Sequence, residues 1–499
     1  MITKTSGGKR EFGVDSLFGD RNLLIDGQWR PAQSGRVFET RNPATGERLA
    51  TIAEGGAEDI DRAVAAARRA FEGPWSRMKP VERQNLLLRF ADLVERDIEA
   101  LITLDTLDMG APIAYGRANP ARVPNMIRHY AGAAMAIHGE TIPNSAPGEI
   151  FTYTTKEPVG VVGAIIPWNG PIGTTVWKIC PVLATGCTMV LKPAEESPLT
   201  ALRLGELLLE AGCPPGVVNI VTGTGEGAGA TLAAHMDVDK IAFTGSHFTG
   251  QKIVQASAGN LKRLSLELGG KSPDIVFADA DLDAAVPGAA MAAFANAGQV
   301  CTAGTRMFVE RSIYEEFTAR VAEFGRNLRV GNGIDPTTQI GPLVSARQLE
   351  RVTGYMEIGR REGARPLLGG VRLTDGELAK GFFVAPTVFA DVHNDMRIAR
   401  EEIFGPVISA IPFDSVDEVI RLANATQFGL GGGVWTRDVG KAHLVSKRIR
   451  AGVVWVNCYN VSDPAMPFGG YKASGYGRES GRQQLEDYLQ LKSVWIKTA

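Results

Sequence analysis

Between residues 159 and 270, short apolar runs alternate with stretches of helical character, and this alternation constrains the chain most. Residues 159–166 (VGVVGAII) form a strand-length run ended by Pro167. A helical stretch leads to Leu183, and a second run covers 188–191. A helix over 200–211 follows, then runs at 217–221 and 240–243. Apolar runs of this length, each followed by a helix, build βαβ units whose strands are buried on both faces. The pattern predicts a Rossmann-like parallel sheet. A second α/β series starts near Ser272: a strand at 273–277, a long helix to about Gln299 and a strand at 305–309. Helices near 311–329, 344–362 and 414–424 and a strand ending at Trp455 and Val456 complete it. The expected fold class is α/β.

The flanking segments read differently. Residues 23–29 (LLIDGQW) predict a hairpin turning at Asp26-Gly27, and 42–46 (NPATG) predict a further turn. Helical faces recur over 58–71 and 81–97, while 150–155 and 488–496 read as strands. Residues 1–20 are mixed and polar, a flexible lead without the apolar run of a signal peptide. The small-residue stretch 284–295 is too short to span a bilayer and predicts a buried core helix.

At 499 residues the chain exceeds one core. A net charge of −2 gives no footing for nucleic acid or an anionic membrane. The five cysteines, Cys180, Cys187, Cys213, Cys301 and Cys458, are scattered and odd in number, which fits a reducing cytoplasm better than a disulfide framework. There is no CxxC pair and no HExxH, so no metal site is expected.

Several short motifs sit at strand ends, where ligands collect in open α/β sheets. Gly223-Thr-Gly225-Glu-Gly227-Ala228 and Phe243-Thr244-Gly245-Ser246 compete as a phosphate-facing loop at a helix start; either is equally a tight βα turn. Lys192 and Glu195 could hold ribose hydroxyls or lie in a solvated loop. In Pro167-Trp168-Asn169-Gly170-Pro171, the Asn169 amide could face an oxyanion or cap a helix. Glu267, before Leu268 and two glycines, could be a general base or a surface charge. Cys301 ends a small-residue helix in a Gly-containing stretch and could react as a thiolate or be inert.

As a set, these motifs resemble the aldehyde dehydrogenase superfamily. The matching stretches are PWNGP (167–171), KPAE (192–195), FTGS (243–246), LELGGKSP (266–273), GQVCTAG (298–304), EEIFGPV (401–407), WVNCYN (455–460) and PFGGYKASGYGRE (467–479). The resemblance implies that Cys301 attacks an aldehyde to give a thiohemiacetal, with Asn169 and the Cys301 N–H facing the oxyanion. Hydride leaves for NAD, and water activated by Glu267 hydrolyses the thioester. It further implies that Lys192 and Glu195 hold the adenosine ribose, Glu195 disfavouring the 2′-phosphate of NADP. Gly225, Gly245 and Ser246 would face the pyrophosphate, and Glu402 and Phe404 the nicotinamide ribose and ring. Ile165, Pro167, Trp168, Phe243 and Leu268 would complete the cofactor site, and Lys178 and Glu479 would lie on a proton path. The implied division is an NAD-binding domain of 1–145 and 157–268, a catalytic domain of 269–478, and an oligomerisation arm of 146–156 and 479–499 in a homodimer or homotetramer.

Two positions depart from the family. Many relatives carry Phe where this chain has Gly170, and an aromatic residue is common where it has Ala295. With Thr174, Trp177, Val300, Thr302, Tyr459 and Phe468 as the remaining walls, the expectation is a medium to bulky apolar substrate, whether aromatic, terpenoid or long-chain. The rival readings are a semialdehyde dehydrogenase, an acylating or NADP-preferring enzyme, a thiol hydrolase without a redox step, and a silent structural relative. Glu267 and Glu195 count against the acylating and NADP readings, and the intact set of Cys301, Glu267 and Asn169 against the silent one.

Overall fold

The computed structural model describes residues 19–498, so the expected lead over 1–20 falls almost wholly outside the described residues. Up to residue 267 the described strands are β1 (Leu23–Ile25), β2 (Gln28–Arg30), β3 (Val37–Arg41), β4 (Arg48–Ala53), β5 (Ile150–Pro158), β6 (Val161–Ile165), β7 (Thr188–Lys192), β8 (Val218–Ile220), β9 (Lys240–Thr244) and β10 (Arg263–Glu267). They are followed by β11 (Pro273–Val276), β12 (Arg306–Glu310), β13 (Arg365–Leu368), β14 (Thr387–Ala390), β15 (Val407–Phe413), β16 (Gly431–Trp435), β17 (Val453–Val456), β18 (Gly475–Tyr476) and β19 (Leu489–Lys497).

The apolar runs become the centre of the first sheet, in the order β18-β10-β9-β6-β7-β8-β1-β2. Strands β10 to β8 are mutually parallel, with antiparallel partners on both flanks. Every residue of β6 and β7 is buried, as a sheet covered on both faces requires. One face packs with Ile179, Leu183 and Leu204, the other with Ile60, Val64 and Leu232. The chain runs from β6 outward through β7 and β8, then returns to lay β9 and β10 on the other side. The strand order therefore reverses at the carboxyl ends of β6 and β9, the place where such sheets bind ligands.

The second sheet has the order β13-β14-β15-β12-β11-β16-β17 and is parallel except for β13. Its own apolar cluster surrounds Phe294, Phe308, Phe317 and Phe389. β5 and β19 form a separate antiparallel ribbon paired over nine residues. β18, at residues 475–476, is added to the edge of the first sheet against β10.

The hairpin turns at Asp26 and Gly27, both with positive φ, as expected. The helix expected to reach Gln299 instead ends at Phe294. Asn296, Ala297 and Gly298 take left-handed φ of 52°, 54° and 71°, which stops the helix and starts the loop carrying Cys301.

Candidate active site

The carboxyl ends of the first sheet's strands meet the loops that lead into the second sheet's strands. Asn169 follows β6, Ser246 follows β9 and Glu267 closes β10. Cys301 lies ahead of β12, and Glu402 ahead of β15.

Cys301 is held by a strained loop. Two consecutive non-glycine residues in left-handed conformation cost roughly 1–2 kcal/mol each, so the surroundings must enforce them. Gln299, fully buried, supplies the brace: its Nε2 donates to the Asn296 carbonyl at 3.1 Å and its Oε1 accepts from Val344 N–H at 2.9 Å. Asn296 Nδ2 donates to the Asn169 carbonyl at 3.0 Å. Asn169 Nδ2 donates to the Gln299 carbonyl at 2.9 Å, which ties the two loops directly. An amide carries two hydrogens, so this bond orients Asn169 and leaves the second hydrogen for a ligand. Gly270 packs on the Cys301 carbonyl so closely that a Cβ there would collide with it.

Cys301 is partly exposed. Burial, followed by the Glu402 and Glu267 carboxyl groups, pushes its thiol up to about 12. The resting group is therefore a protonated thiol, not the free thiolate that a Gly-containing loop suggests. Glu267 is buried with neither carboxyl oxygen hydrogen-bonded. Burial and then the Glu479 charge push it well above the ordinary carboxyl range, and Lys178 and Arg478 pull the other way. A Cβ on Gly469 would come within 2.7 Å of Glu267 Oε1, so glycine keeps that side open. Lys178 and Glu479 form a buried ion pair. Glu479 also accepts from Gln484 Nε2 at 2.7 Å, and Gln484 in turn accepts from the Tyr130 hydroxyl.

Most of the residues expected to hold the cofactor lie at or just after the carboxyl ends of the first sheet's strands, and Glu402 and Phe404 lie ahead of β15. Lys192, buried at the end of β7, pairs with Glu195 at 2.8 Å. Burial opposes ionisation of Glu195, but the Lys192 charge and hydrogen bond outweigh it and hold the carboxyl below its usual range. A fixed anion at this point suits ribose hydroxyls and repels a phosphate. Ile165 ends β6, and Pro167 follows. Trp168 meets Phe404 edge-on at 5.3 Å. Phe243 is buried in β9, with Gly245 after it. Ser246 caps the helix His247–Ala256 by accepting from Thr249 N–H at 3.2 Å, and the first amides of that helix lack intrahelical acceptors. Gly225 opens a single π turn, Gly225–Gly229, so both competing glycine loops sit at strand ends. Leu268 is buried, its N–H on the Ser474 carbonyl at 3.0 Å. Glu402 Oε1 accepts from Gly270 N–H at 3.0 Å, and burial raises its carboxyl to about 7.

Two braces of this region are invisible in the linear order. Gln348 and Arg351, one turn apart on the helix Ala346–Arg361, share one face. Gln348 donates to the Phe404 carbonyl at 2.7 Å, and Arg351 to the carbonyls of Glu402 and Ile403. They hold the loop in which Phe404 adopts a φ of 62°.

Of the residues expected to wall the substrate, Trp177 and Phe468 stack at 5.8 Å. Gly170 begins the helix Pro171–Thr185, and its carbonyl accepts from Thr174 N–H and Oγ1. A Cβ built on Gly170 meets nothing within 4 Å. Ala295 and Val300 are half-buried beside the Cys301 loop. Thr302 is buried and donates to Asn460 Oδ1 at 2.7 Å. The Tyr459 hydroxyl donates to the Thr302 carbonyl at 2.9 Å, so Tyr459 braces the loop from below. Among the described residues, no group of three or more His, Cys, Asp and Glu side chains is placed to hold a metal ion.

Comparison with known proteins agrees with this geometry. The sequence profile of the aldehyde dehydrogenase family matches residues 29–494. Retinal dehydrogenase 2 of Mus musculus is 50% identical over 480 residues, 95% of this chain and 91% of that protein. An NAD+ complex of aldehyde dehydrogenase from Bacillus cereus superposes with a TM-score of 0.94 at 48% identity, over 96% of this chain and 97% of the other. Betaine aldehyde dehydrogenase of Staphylococcus aureus with NAD+ gives 0.94 at 39% identity, over 96% and 97%. The chain belongs to the aldehyde dehydrogenase family, and it is an NAD-dependent aldehyde dehydrogenase.

Proposed function

We propose that Cys301, Asn169 and Glu267 carry the oxidation of a medium to bulky apolar aldehyde to its carboxylic acid. The observation that carries this reading is the hydrogen bond from Asn169 to Gln299, which sets an amide donor beside Cys301 while Glu267 stands buried and unpartnered. Glu267, as carboxylate, takes the thiol proton, and Sγ attacks the carbonyl carbon. The second Asn169 hydrogen and the Cys301 N–H stabilise the oxyanion of the thiohemiacetal. Bound NAD supplies the hydride acceptor. Glu267 first releases the thiol proton by way of Lys178 and Glu479; as carboxylate again, it takes a proton from the water that hydrolyses the thioester, and the same pair conducts that proton away.

The cofactor fits the residues present. Glu195 answers a 2′-hydroxyl, Glu402 the second ribose, and the amides after Gly245, with Ser246 and Gly225, the pyrophosphate. Phe404 and Trp168 cover the ring, with Ile165, Pro167, Phe243 and Leu268 as apolar floor.

The open space at Gly170 and the small Ala295 support the bulky apolar substrate, which Trp177, Phe468, Thr174, Val300, Thr302 and Tyr459 would enclose. A comparison of kcat/KM for acetaldehyde and for a bulky aromatic aldehyde tests this; a clear preference for acetaldehyde overturns it. Cys301→Ala should abolish NADH formation while NAD binding persists.

Residues 1–145 and 157–268 form the NAD-binding unit in this reading, 269–478 the catalytic unit, and 146–156 with 479–499 the arm. The β5–β19 ribbon exposes Phe151, Leu491, Trp495 and Ile496, which supports burial against another copy in a homodimer or homotetramer. No described helix is long and apolar enough to cross a membrane. All five cysteines are free, which supports a cytoplasmic location.

A further inference from the structure

Pro181 stands inside the helix Pro171–Thr185. A proline has no N–H, and its ring pushes aside the carbonyl four residues back. That carbonyl belongs to Trp177, the residue just ahead of Lys178. In a regular helix it would accept from residue 181. Here its donor comes from another element: Gln484 Nε2 meets it at 2.9 Å.

Gln484 is fully buried in the short helix Gly481–Asp487. A buried amide needs partners for both of its hydrogens and for its oxygen. The second Nε2 hydrogen goes to Glu479 Oε2 at 2.7 Å. Oε1 accepts from Ser480 N–H at 2.6 Å and from the Tyr130 hydroxyl. These partners also fix which way the amide faces. Turned over, its oxygen would meet a carbonyl and a carboxylate.

Glu479 is therefore held on both carboxyl oxygens. Lys178 Nζ donates to Oε1 and Gln484 Nε2 to Oε2. One rigid amide thus ties the anion to the carbonyl that precedes its cation. The Glu479 backbone has anchors of its own: its N–H donates to the Phe468 carbonyl and its carbonyl accepts from Phe468 N–H, at 2.7 Å each. Ser480, next in the chain, has φ of 59° and ψ of 176°, a region that glycine alone enters freely. Its N–H bond to Gln484 pins that turn.

We propose that Gln484 is a positioning residue for the proton route, holding the Glu479 carboxylate in one orientation against Lys178. The inference rests on the reading in which Lys178 and Glu479 carry protons away from Glu267. Gln484 neither takes nor gives a proton; it acts through Glu479. A carboxylate held on one oxygen turns broadly about its last side-chain bond, whereas one held on both does not. Proton transfer needs donor and acceptor within hydrogen-bond reach and aligned. In the proposed reaction the thiol proton reaches Glu267 before any proton has to leave. Formation of the acyl-enzyme is thus indifferent to this orientation, and its hydrolysis depends on it.

The test compares formation and decay of the acyl-enzyme in a single turnover of the NAD-loaded enzyme with benzaldehyde. Formation is read as the NADH burst in stopped flow, and decay by intact mass. Gln484→Met keeps the side-chain length and removes both donors, which would strand the Trp177 carbonyl. It is therefore combined with Pro181→Ala, which returns the helical N–H to that carbonyl. The double variant should melt near the parent temperature and keep the rate and amplitude of the NADH burst. Its acyl-enzyme should decay about tenfold more slowly, short of the roughly hundredfold that outright loss of a proton-transfer group costs. Pro181→Ala alone should decay at the parent rate. Parent-rate decay in the double variant overturns the proposal. So does a burst slowed as much as the decay, or loss of the fold, since either makes Gln484 a structural residue only. Glu479→Gln separates the two levels. Slow decay in Glu479→Gln with parent-rate decay in the double variant removes the role of Gln484 alone. Parent-rate decay in Glu479→Gln removes the proton route itself.

Discussion

Gly170 offers a direct way to test the proposed substrate pocket. A Cβ there meets nothing within 4 Å, and φ is −171°, extended backbone that any residue adopts. Gly170→Phe should therefore enter without backbone strain. The carbonyl that accepts from Thr174 N–H and Oγ1 is untouched, and the cost at a helix N-cap is about 1 kcal/mol or less. If the new ring meets a small aldehyde over roughly 40 Å² of apolar surface, the gain at about 25 cal/mol per Å² is ~1 kcal/mol, or about fivefold in kcat/KM. A bulky aldehyde that needs the same space meets an overpacked wall, at about 2–3 kcal/mol, or ~30–150-fold. The ratio of kcat/KM for a bulky aromatic aldehyde to that for acetaldehyde should thus fall by about two orders of magnitude or more. The assay is NADH formation with both aldehydes, alongside a melting curve. An unchanged ratio with an unchanged melting temperature refutes the reasoning, because it means that the substrate does not occupy this space.

Three further outcomes follow from the geometry. Glu195→Gln removes the anion proposed to face the 2′-position and should raise the NADP-to-NAD ratio of kcat/KM about tenfold, from ~1–2 kcal/mol of repulsion at a partly exposed site; steady-state kinetics with both cofactors decides. Gln299→Ala strands Val344 N–H and releases the Asn296 carbonyl, which should cost about 2–4 kcal/mol in urea unfolding for two buried bonds and lower kcat through misplacement of Cys301. The Cys301 thiol, pushed up to about 12, reacts through its thiolate, whose fraction rises tenfold per pH unit below that value. Iodoacetamide labelling of Cys301 in the free enzyme, read by peptide mass, should keep rising to about pH 10, and a plateau near neutrality would show that the thiol is not raised.

The parallel core of the first sheet was legible because β6, β7 and β9 are buried apolar runs, and the hairpin because Asp-Gly suits positive φ. Glu267, Cys301 and Asn169 stand out as a candidate site only as a set, since each alone has a bland reading. Other elements left no local trace. β16 opens Gly-Gly-Gly and has little strand propensity of its own; its neighbours β11 and β17 hold it. β10 alternates polar and apolar like a half-exposed strand, yet Ser265 and Glu267 on its polar face are buried, with Ser265 bonded to Lys240 and Asp487. The helix that should have continued to Gln299 stops at Phe294, because Asn296 and Ala297 take a conformation against their own preference. That conformation is enforced by Gln299 and Asn169, the latter about 130 residues away in the chain. Gln348 and Arg351 gain meaning only once the 402–404 carbonyls are folded against them.

The charges around Cys301 also set an order of events. Thiolate and Glu267 carboxylate disfavour one another, since Glu267 raises the thiol and the coupling is mutual. Glu402 adds to the same opposition. In the proposed reaction the thiol proton would therefore move to Glu267 as a transfer, leaving one negative charge in place of another, and not as two separate ionisations. A thioester sulfur, like the resting thiol, would carry no charge, and neither would oppose Glu267. Ionisation of Glu267 would thus meet the same opposition, burial and then the Glu479 charge, in both halves of the proposed reaction, and a thiolate would add to it only at the moment of attack.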